Sequence, residues 1–503
     1  MDELQNLFHG FAVAATLPNL GFMLVGITLG VLIGVLPGLG GANGVAILLP
    51  LTFSMNPTSA IIMLSCIYWG ALFGGAITSI LFNIPGEPWS VATTFDGYPM
   101  ARDGRATNAL TLAFLSAGTG ALFGVVVITG LSGWVTQFAL KFSSPEYFAV
   151  YLLVFASFVG MGNTSPFKTV VSMTLGFAVA TIGVDTISGN VRLTFGIPDL
   201  VKGISFLVAV IGLFGLGELL QTMEEGLRFE GIHARISPRE VFRTALTLPR
   251  HWVTLLRSAL VGCWMGITPG GPTAASFMSY GLAKRFSRRK EGFGKGEPDG
   301  VVAPETADHA AGTCAILPML ALGIPGSATA AVMMGGLMIW GLTPGPMLFI
   351  ERPDFVWSTI ASMYLGNVIA VVLVLATVPM FAAILRIPFS IIGPMIVVVC
   401  FVGAYTVSGA RLDLWFALLF GIVGYLLKKL DYPIAPMVLA MILGDKMEDA
   451  FRQSMLMAKG SMGVFYSNPL VGTITTLALL LLLWPLVSRL LRSAQSRPAG
   501  KTG

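Results

Sequence analysis

The chain has 503 residues, 55% of them hydrophobic and 11% charged, with a mean hydropathy of +0.81. Soluble domains carry about a quarter charged residues, so a soluble enzyme or binding module is excluded. The formal charge of +5 does not point to nucleic acid, because the basic residues sit in short loops between apolar runs.

Apolar runs long enough to cross a bilayer recur, as at Leu110–Val135, Phe355–Leu385 and Thr473–Leu491. They are continuous rather than alternating, which argues against an outer-membrane barrel. The expectation is an all-α polytopic membrane protein of roughly 10–12 membrane segments. Cys66, Cys263, Cys314 and Cys400 lie inside apolar runs at unrelated spacings and read as buried core residues, with no disulfide framework or metal site. The opening M-D-E-L-Q-N has no basic stretch, so no cleaved signal peptide is expected.

No Lys or Arg precedes Arg102, which puts the N-terminal region on the outer face. From Leu17 to Pro57 the chain is apolar but broken at Pro37-Gly38, within G-V-L-P-G-L-G-G-A-N-G at Gly34–Gly44. The arms are about 16 to 18 residues, short for two crossings of about 20, and a re-entrant helical hairpin with P-G-L-G-G at its tip is expected. Ile61–Phe82 follows, then the break N-I-P-G-E-P at Asn83–Pro88 and a polar stretch in which Asp96-Gly97 reads as a turn. After Leu110–Val135, candidate spans run Tyr147–Met161, Phe167–Ile182 and Leu200–Leu220.

Met223–Arg257 is basic, and S-P-R-E at Ser237–Glu240 predicts a capping box. It opens an amphipathic interfacial helix through Val241, Leu246, Trp252, Leu255 and Leu256. A second basic cluster spans Lys284–Lys295. Between the clusters, Ser258–Ala283 is about 26 residues, enough for one crossing and not two. One crossing would leave one basic cluster outside. A second hairpin, with G-I-T-P-G-G-P-T (Gly266–Thr273) at its tip, keeps both clusters cytoplasmic.

Landmarks then recur. G-I-P-G at Gly323–Gly326 matches Asn83–Gly86, Phe401–Gly403 matches Phe158–Gly160, and Gly444-Asp445 matches Gly217-Glu218, at offsets of about 230 to 245. With the hairpins on opposite sides, the expected fold is two inverted structural repeats with re-entrant hairpins and discontinuous helices. The expected divisions are residues 1–222 as the first membrane repeat and 223–257 as a cytoplasmic basic loop with the interfacial helix. Residues 258–460 form the second repeat, and 461–503 a final transmembrane helix with a basic cytoplasmic tail. The crossings within Val301–Pro346 stay open.

At each tip the second arm begins a helix whose first N–H groups are unpaired and partly positive, suited to a carboxylate or phosphate. The expected substrate contacts are Pro37, Gly38, Gly40, Gly41 and Asn43 at the first tip, and Thr268, Pro269, Gly270, Gly271, Thr273 and Ser276 at the second. The plain alternative is a kink or close helix packing. At the I-P-G breaks, substrate or ion contacts are expected from Asn83, Pro85, Gly86, Ser90, Thr93 and Thr94, and from Pro325, Gly326, Ser327 and Thr329. There the alternative is a hydroxyl bonded to its own helix.

The ionisable residues nearest membrane depth are Glu87, Asp96, Asp185, Glu218, Glu305, Asp308 and His309. Glu305, Asp308 and His309 share a helix face; a helix entrance bonded to the basic loop is the favoured reading, a proton or metal site the alternative. Asp96, Glu305, Asp308 and His309 are the candidates for ion coupling. There is no phosphate-binding G-x-x-x-x-G-K-[ST] and no nucleophile–base pairing, so neither an enzyme nor a cofactor is expected.

With G-V-L-P-G-L-G-G, Asp96–Pro99, A-P-E-T-A-D-H-A and Ala303–Pro346 in view, nearly the whole chain resembles the large membrane subunit of the tripartite tricarboxylate transporter family. The resemblance implies a multi-pass permease of the bacterial inner membrane, working with a small membrane subunit and a periplasmic solute-binding protein. It implies import of organic carboxylates with Na⁺ or H⁺. The chain departs from the family pattern at Pro272, in the second tip, and at His309, where an amide is expected. The alternative is a channel-like or scaffold subunit without coupled transport.

Overall fold

The computed structural model describes residues 3–36, 39–161, 165–185, 187–225, 237–268, 271–384 and 389–495. Pro37, Gly38, Pro269 and Gly270, the centres of the expected tips, lie outside the described residues, as do Arg228, Arg235 and the tail from 496.

Among the described residues the fold is helical apart from one hairpin of two short strands. α1 (Glu3–Ala14) and α2 (Leu17–Val35) lead to α3 (Gly41–Leu48), α4 (Pro57–Phe82), α5 (Val91–Met100) and α6 (Ala106–Ala139). α7 (Ser144–Met161) and α8 (Pro166–Ala180) precede β1 (Gly183–Val184) and β2 (Val191–Arg192). Then come α9 (Phe206–Val210), α10 (Gly217–Glu225), α11 (Pro238–Ala245), α12 (Trp252–Ile267) and α13 (Gly271–Phe286). α14 (Asp299–Cys314), α15 (Ile316–Leu322), α16 (Ala328–Ile339), α17 (Pro346–Glu351) and α18 (Pro353–Ile384) follow. α19 (Phe389–Ser408), α20 (Arg411–Lys429), α21 (Ile434–Met457) and α22 (Pro469–Gln495) complete the chain.

Among the described residues, six helical segments are long and apolar enough to cross a membrane. The protein is an all-α polytopic membrane protein. α2, at 19 residues, is long enough to cross alone, longer than the hairpin arm expected of it. α12 and α13 have 16 residues each, about 24 Å at 1.5 Å per residue, short of a hydrocarbon core of about 30 Å.

Three local expectations are corrected. Asp96-Gly97 is no turn: it lies inside α5, which continues through a π-helical segment (Ala101–Arg105) into α6, with Gly104 at φ 80° taking up the kink. Ser237 does stand before α11 with Pro238 at the first position, but its side chain makes no capping hydrogen bond. The helix expected at the interface ends at Ala245; Pro249 falls in a 3₁₀ turn (Leu248–His251), and Trp252, Leu255 and Leu256 belong to α12.

The chain forms two compact units, residues 1–140 with 205–426, and residues 141–204 with 427–503. In the first, α2 lays Gly26, Gly30 and Gly34 against the backbone carbonyls of Met63, Ile67 and Ala71 on α4. α12 lays Gly262 and Gly266 against those of Ala307 and Ala311 on α14. Small residues let the backbones approach this closely without side chains between them. The packing is also reciprocal. Gly120 on α6 abuts the Thr306 backbone on α14, while Gly366 on α18 abuts Cys66 on α4. Cys66 and Thr306, like Asn83 and Gly323, stand 240 residues apart.

The same relation recurs among later helices. In the first unit Gly217, opening α10, abuts Gly424 and Tyr425 on α20. In the second unit Gly444 on α21 abuts Ala180 and Phe177 on α8. The second unit also carries an ion-pair cluster, in which Arg452 donates to both Asp185 oxygens at 2.9 Å and Arg192 donates to Glu448 at 2.9 Å. It ties the β-hairpin to α21.

Candidate functional site

Both tips and both I-P-G breaks lie in the first unit. Gly40, at φ 34°, caps α3, and a Cβ there would overlap the Glu87 carboxylate. The Gly41 N–H donates to Glu87 Oε1. A carboxylate therefore already sits on the first N–H of this helix, where the peptide dipoles favour negative charge. Glu87 is held by the turn it heads: its N–H donates to Ser90 Oγ at 3.2 Å, and Ser90 Oγ donates back to its carbonyl at 2.8 Å. Asn43, further along α3, donates to Glu218 Oε2 on α10 at 3.3 Å, with both side chains buried.

Gly271, at φ 63°, opens α13 at the second tip. A Cβ there would lie 3.8 Å from the Gly326 carbonyl oxygen and 4.0 Å from Ser327 Cβ. Ser327 stands in the second break where Glu87 stands in the first. Each caps the helical turn after I-P-G, with extended φ of −149° and −143°. Ser327 Oγ accepts the Ala330 N–H at 3.2 Å and lies 3.4 Å from the Tyr68 hydroxyl. The Tyr68 ring also faces Gly41, 3.3 Å from where its Cβ would be. One tyrosine thus spans from the first tip to the second break.

The breaks themselves are built alike. Asn83 and Gly323 end the preceding helices in the left-handed region, at φ 57° and 67°. Beyond Pro85 and Pro325, Gly86 abuts the Gly34 carbonyl and Gly326 the Gly266 carbonyl. Each break therefore rests on the helix that leads to its own tip.

The hydroxyls divide. Thr94 Oγ1 donates to the Val91 carbonyl at 2.7 Å and Thr268 Oγ1 to the Trp264 carbonyl at 2.8 Å, both local bonds. Ser276 Oγ donates to the Trp89 carbonyl at 2.6 Å, joining α13 to the first break. Thr273 is half-buried on α13 and Thr329 is buried on α16. Thr93 Oγ1 donates to Glu305 Oε1 at 2.6 Å.

Glu305, Asp308 and His309 are 1%, 1% and 0% exposed. The favoured entrance reading is overturned, because they sit in the middle of α14. The entrance is Asp299, which pairs with His251 Nδ1 at 2.7 Å. His309 Nδ1 lies 2.8 Å from Asp308 Oδ1 and 3.1 Å from the Glu305 carbonyl, with the Phe73 ring 4.5 Å from its own.

The basic loop is instead held by Asp96. Its Oδ1 accepts the N–H groups of Gly294, Gly296 and Glu297, each at 2.8 Å, and Oδ2 accepts the Tyr280 hydroxyl at 2.9 Å. Four donors leave this carboxylate engaged as a clamp. Sequence reasoning named Glu87 but not its place on Gly41, and it missed Tyr68, whose only signal is a phenol inside an apolar run.

Over residues 20–439 the chain matches the tripartite tricarboxylate transporter TctA family. The chain belongs to that family. It is 36% identical over 484 residues, 95% of each chain, to an uncharacterized 52.8 kDa protein in the TAR-I ttuC' 3' region of Agrobacterium vitis. A second uncharacterized protein of that organism, in the TAR-II ttuC' 3' region, is 34% identical over 219 residues, 43% of this chain and 90% of the relative. No solved structure matches the chain. As a TctA-family protein with this fold, the chain is a multi-pass membrane subunit of a transporter.

Proposed function

We propose that this TctA-family chain is the permease subunit of a binding-protein-dependent secondary transporter. It imports an organic di- or tricarboxylate across the bacterial inner membrane by Na⁺ or H⁺ symport, with a small membrane subunit and a periplasmic solute-binding protein as partners. The observation that supports this most is the Glu87 carboxylate on the Gly41 N–H, since one helix start at the site already takes a carboxylate. The matching start at Gly271 faces Ser327, with Thr273 on its own helix, and there a substrate carboxylate replaces its hydration. The reciprocal glycine crossings support two inverted repeats, with the site between their tips.

The test is reconstitution of the chain with both partners in proteoliposomes, following radiolabelled citrate and succinate. Accumulation against a concentration gradient, driven by Na⁺ or by H⁺, is expected. Flux indifferent to both gradients replaces symport with a channel-like subunit. Cysteines placed near Pro57 and Lys290 label from opposite sides if the repeats are inverted; labelling from one side removes the inversion.

A further inference from the structure

We infer that the coupling ion of this transporter is a proton, taken up by Glu305 and the Asp308–His309 pair at the centre of α14. This rests on the symport reading above and decides between its two cations.

The partners of His309 Nδ1 are a carboxylate oxygen and a backbone carbonyl, both acceptors, so the network assigns the ring hydrogen to Nδ1. Nε2 then carries the basic lone pair, and it is buried with no hydrogen-bond partner. Glu305 Oε1 receives the Thr93 hydroxyl, but Oε2 is buried without a donor, 3.9 Å from His309 Nδ1. Two enclosed acceptor atoms thus lack a hydrogen. A buried carboxylate with no cation beside it is strongly disfavoured, and a proton on Glu305 Oε2 removes its charge.

Among the described residues the surroundings offer no other cation. α6 holds no titratable residue, nor does α15. α4 presents Cys66 and Tyr68, and the Tyr68 hydroxyl lies by Gly312 and Ser327. On the segment leading through α5, Glu87 lies on Gly41, Asp96 is taken by the loop and Tyr280, and Tyr98 is the remaining titratable group. α12 carries Arg257, over the Phe286 ring, and Cys263; α13 carries Tyr280, with Lys284 and Arg285 in its last turn. None of these basic groups pairs with Glu305 or Asp308. Na⁺ is held by a shell of oxygens, whereas Glu305, Asp308 and His309 bring together one ligand atom each, one of them an imidazole nitrogen. A proton needs only one of them.

Thr93 links the proposed proton site to the segment that carries Glu87. Its hydroxyl joins Glu305 to the segment that begins with Glu87, so the charge on α14 and the carboxylate on the first tip act on one stretch of chain.

The test uses the complete transporter in proteoliposomes, with radiolabelled citrate and succinate outside and a pH dye inside. Wild type accumulates carboxylate under an inward proton gradient without Na⁺, and the lumen acidifies as it does so. Glu305→Gln, which carries a hydrogen permanently, loses this accumulation at least tenfold, and its exchange rate no longer varies with pH. His309→Asn also shifts the pH profile of exchange.

Accumulation driven by Na⁺ and indifferent to pH overturns the proton while leaving symport in place. No accumulation under either gradient defeats the symport reading itself. An unshifted pH profile in both variants, or exchange abolished at every pH in both, makes the cluster structural and overturns the inference.

Discussion

Glu87 and Ser327 occupy the same station in two matching segments, one after each I-P-G break, yet only Glu87 lays a carboxylate on the helix start it faces. The two halves of the site are therefore unequal in charge. The first tip has an internal carboxylate and the second a hydroxyl with Tyr68 beside it. If the tips bind substrate as proposed, a tip that already carries a carboxylate takes a second one only by displacing the first, and the substrate carboxylate goes to the Gly271 side.

Replacing Glu87 with Gln removes the charge and keeps the shape. Hydrogen bonds to charged groups contribute about 1.5–3 kcal/mol, so loosening the first tip is expected to slow carboxylate uptake at least about tenfold. Uptake at matched protein level checks this, and an unchanged rate sinks the role given to Glu87.

Gly40→Ala places a Cβ at φ 34° and into the Glu87 carboxylate, a strain of about 1–3 kcal/mol. Gly21→Ala, on α2 with open space around it, is expected to be neutral or stabilising by about 0.4–1 kcal/mol. Thermal melting of the two purified variants should separate in that order. Equal melting would mean that Gly40 is replaceable.

Asp96→Ala strands three loop N–H groups and the Tyr280 hydroxyl, each worth about 1–3 kcal/mol when buried and unmatched. Trypsin should then cut at Lys290 and Lys295 much faster than in wild type, with Asp96→Asn between the two. Unaltered cleavage would show that the loop is held elsewhere.

Asp185 lies in the loop between α8 and α9. The Ser188 hydroxyl, the Arg452 guanidinium and the Ile187 N–H hold its carboxyl well below the usual carboxylate range. A depressed carboxyl stabilises above its ordinary value of about 3.9 and loses that contribution as pH falls through the lower, folded value. The β1–β2 hairpin should stay protected at neutral pH and open progressively only below about pH 4. Hydrogen exchange across 183–192, corrected for intrinsic rate, reads this. In Asp185→Asn, protection should be weaker and lack the acid step; a wild-type profile in that variant contradicts it.

Much of the helical architecture was legible in the chain. Apolar runs without charge must form helices in lipid, because only a helix satisfies every backbone group within one segment. α4, α6, α18 and α22 lie where those runs lie. Asn83 and Gly323 do end helices, since the left-handed residue and the proline after it stop both in the same way. The Asp96 turn and the long interfacial helix were misread for opposite reasons. Packing carried one helix through a glycine and a proline, while Pro249 ended the other early.

The sequence alone determined that the protein is a bundle of membrane helices with two pairs of glycine- and proline-rich breaks, and that its second half repeats landmarks of the first. Those are consequences of composition and of backbone groups that must be paired within a few residues. Only the tertiary structure decided that Glu87 reaches Gly41, that Asp96 and not Glu305 clamps the basic loop, and that Glu305 and His309 sit buried with acceptors unmatched. Each of these joins residues far apart in the chain or depends on the packing of other helices around them, and no local periodicity records which side chains such packing will enclose.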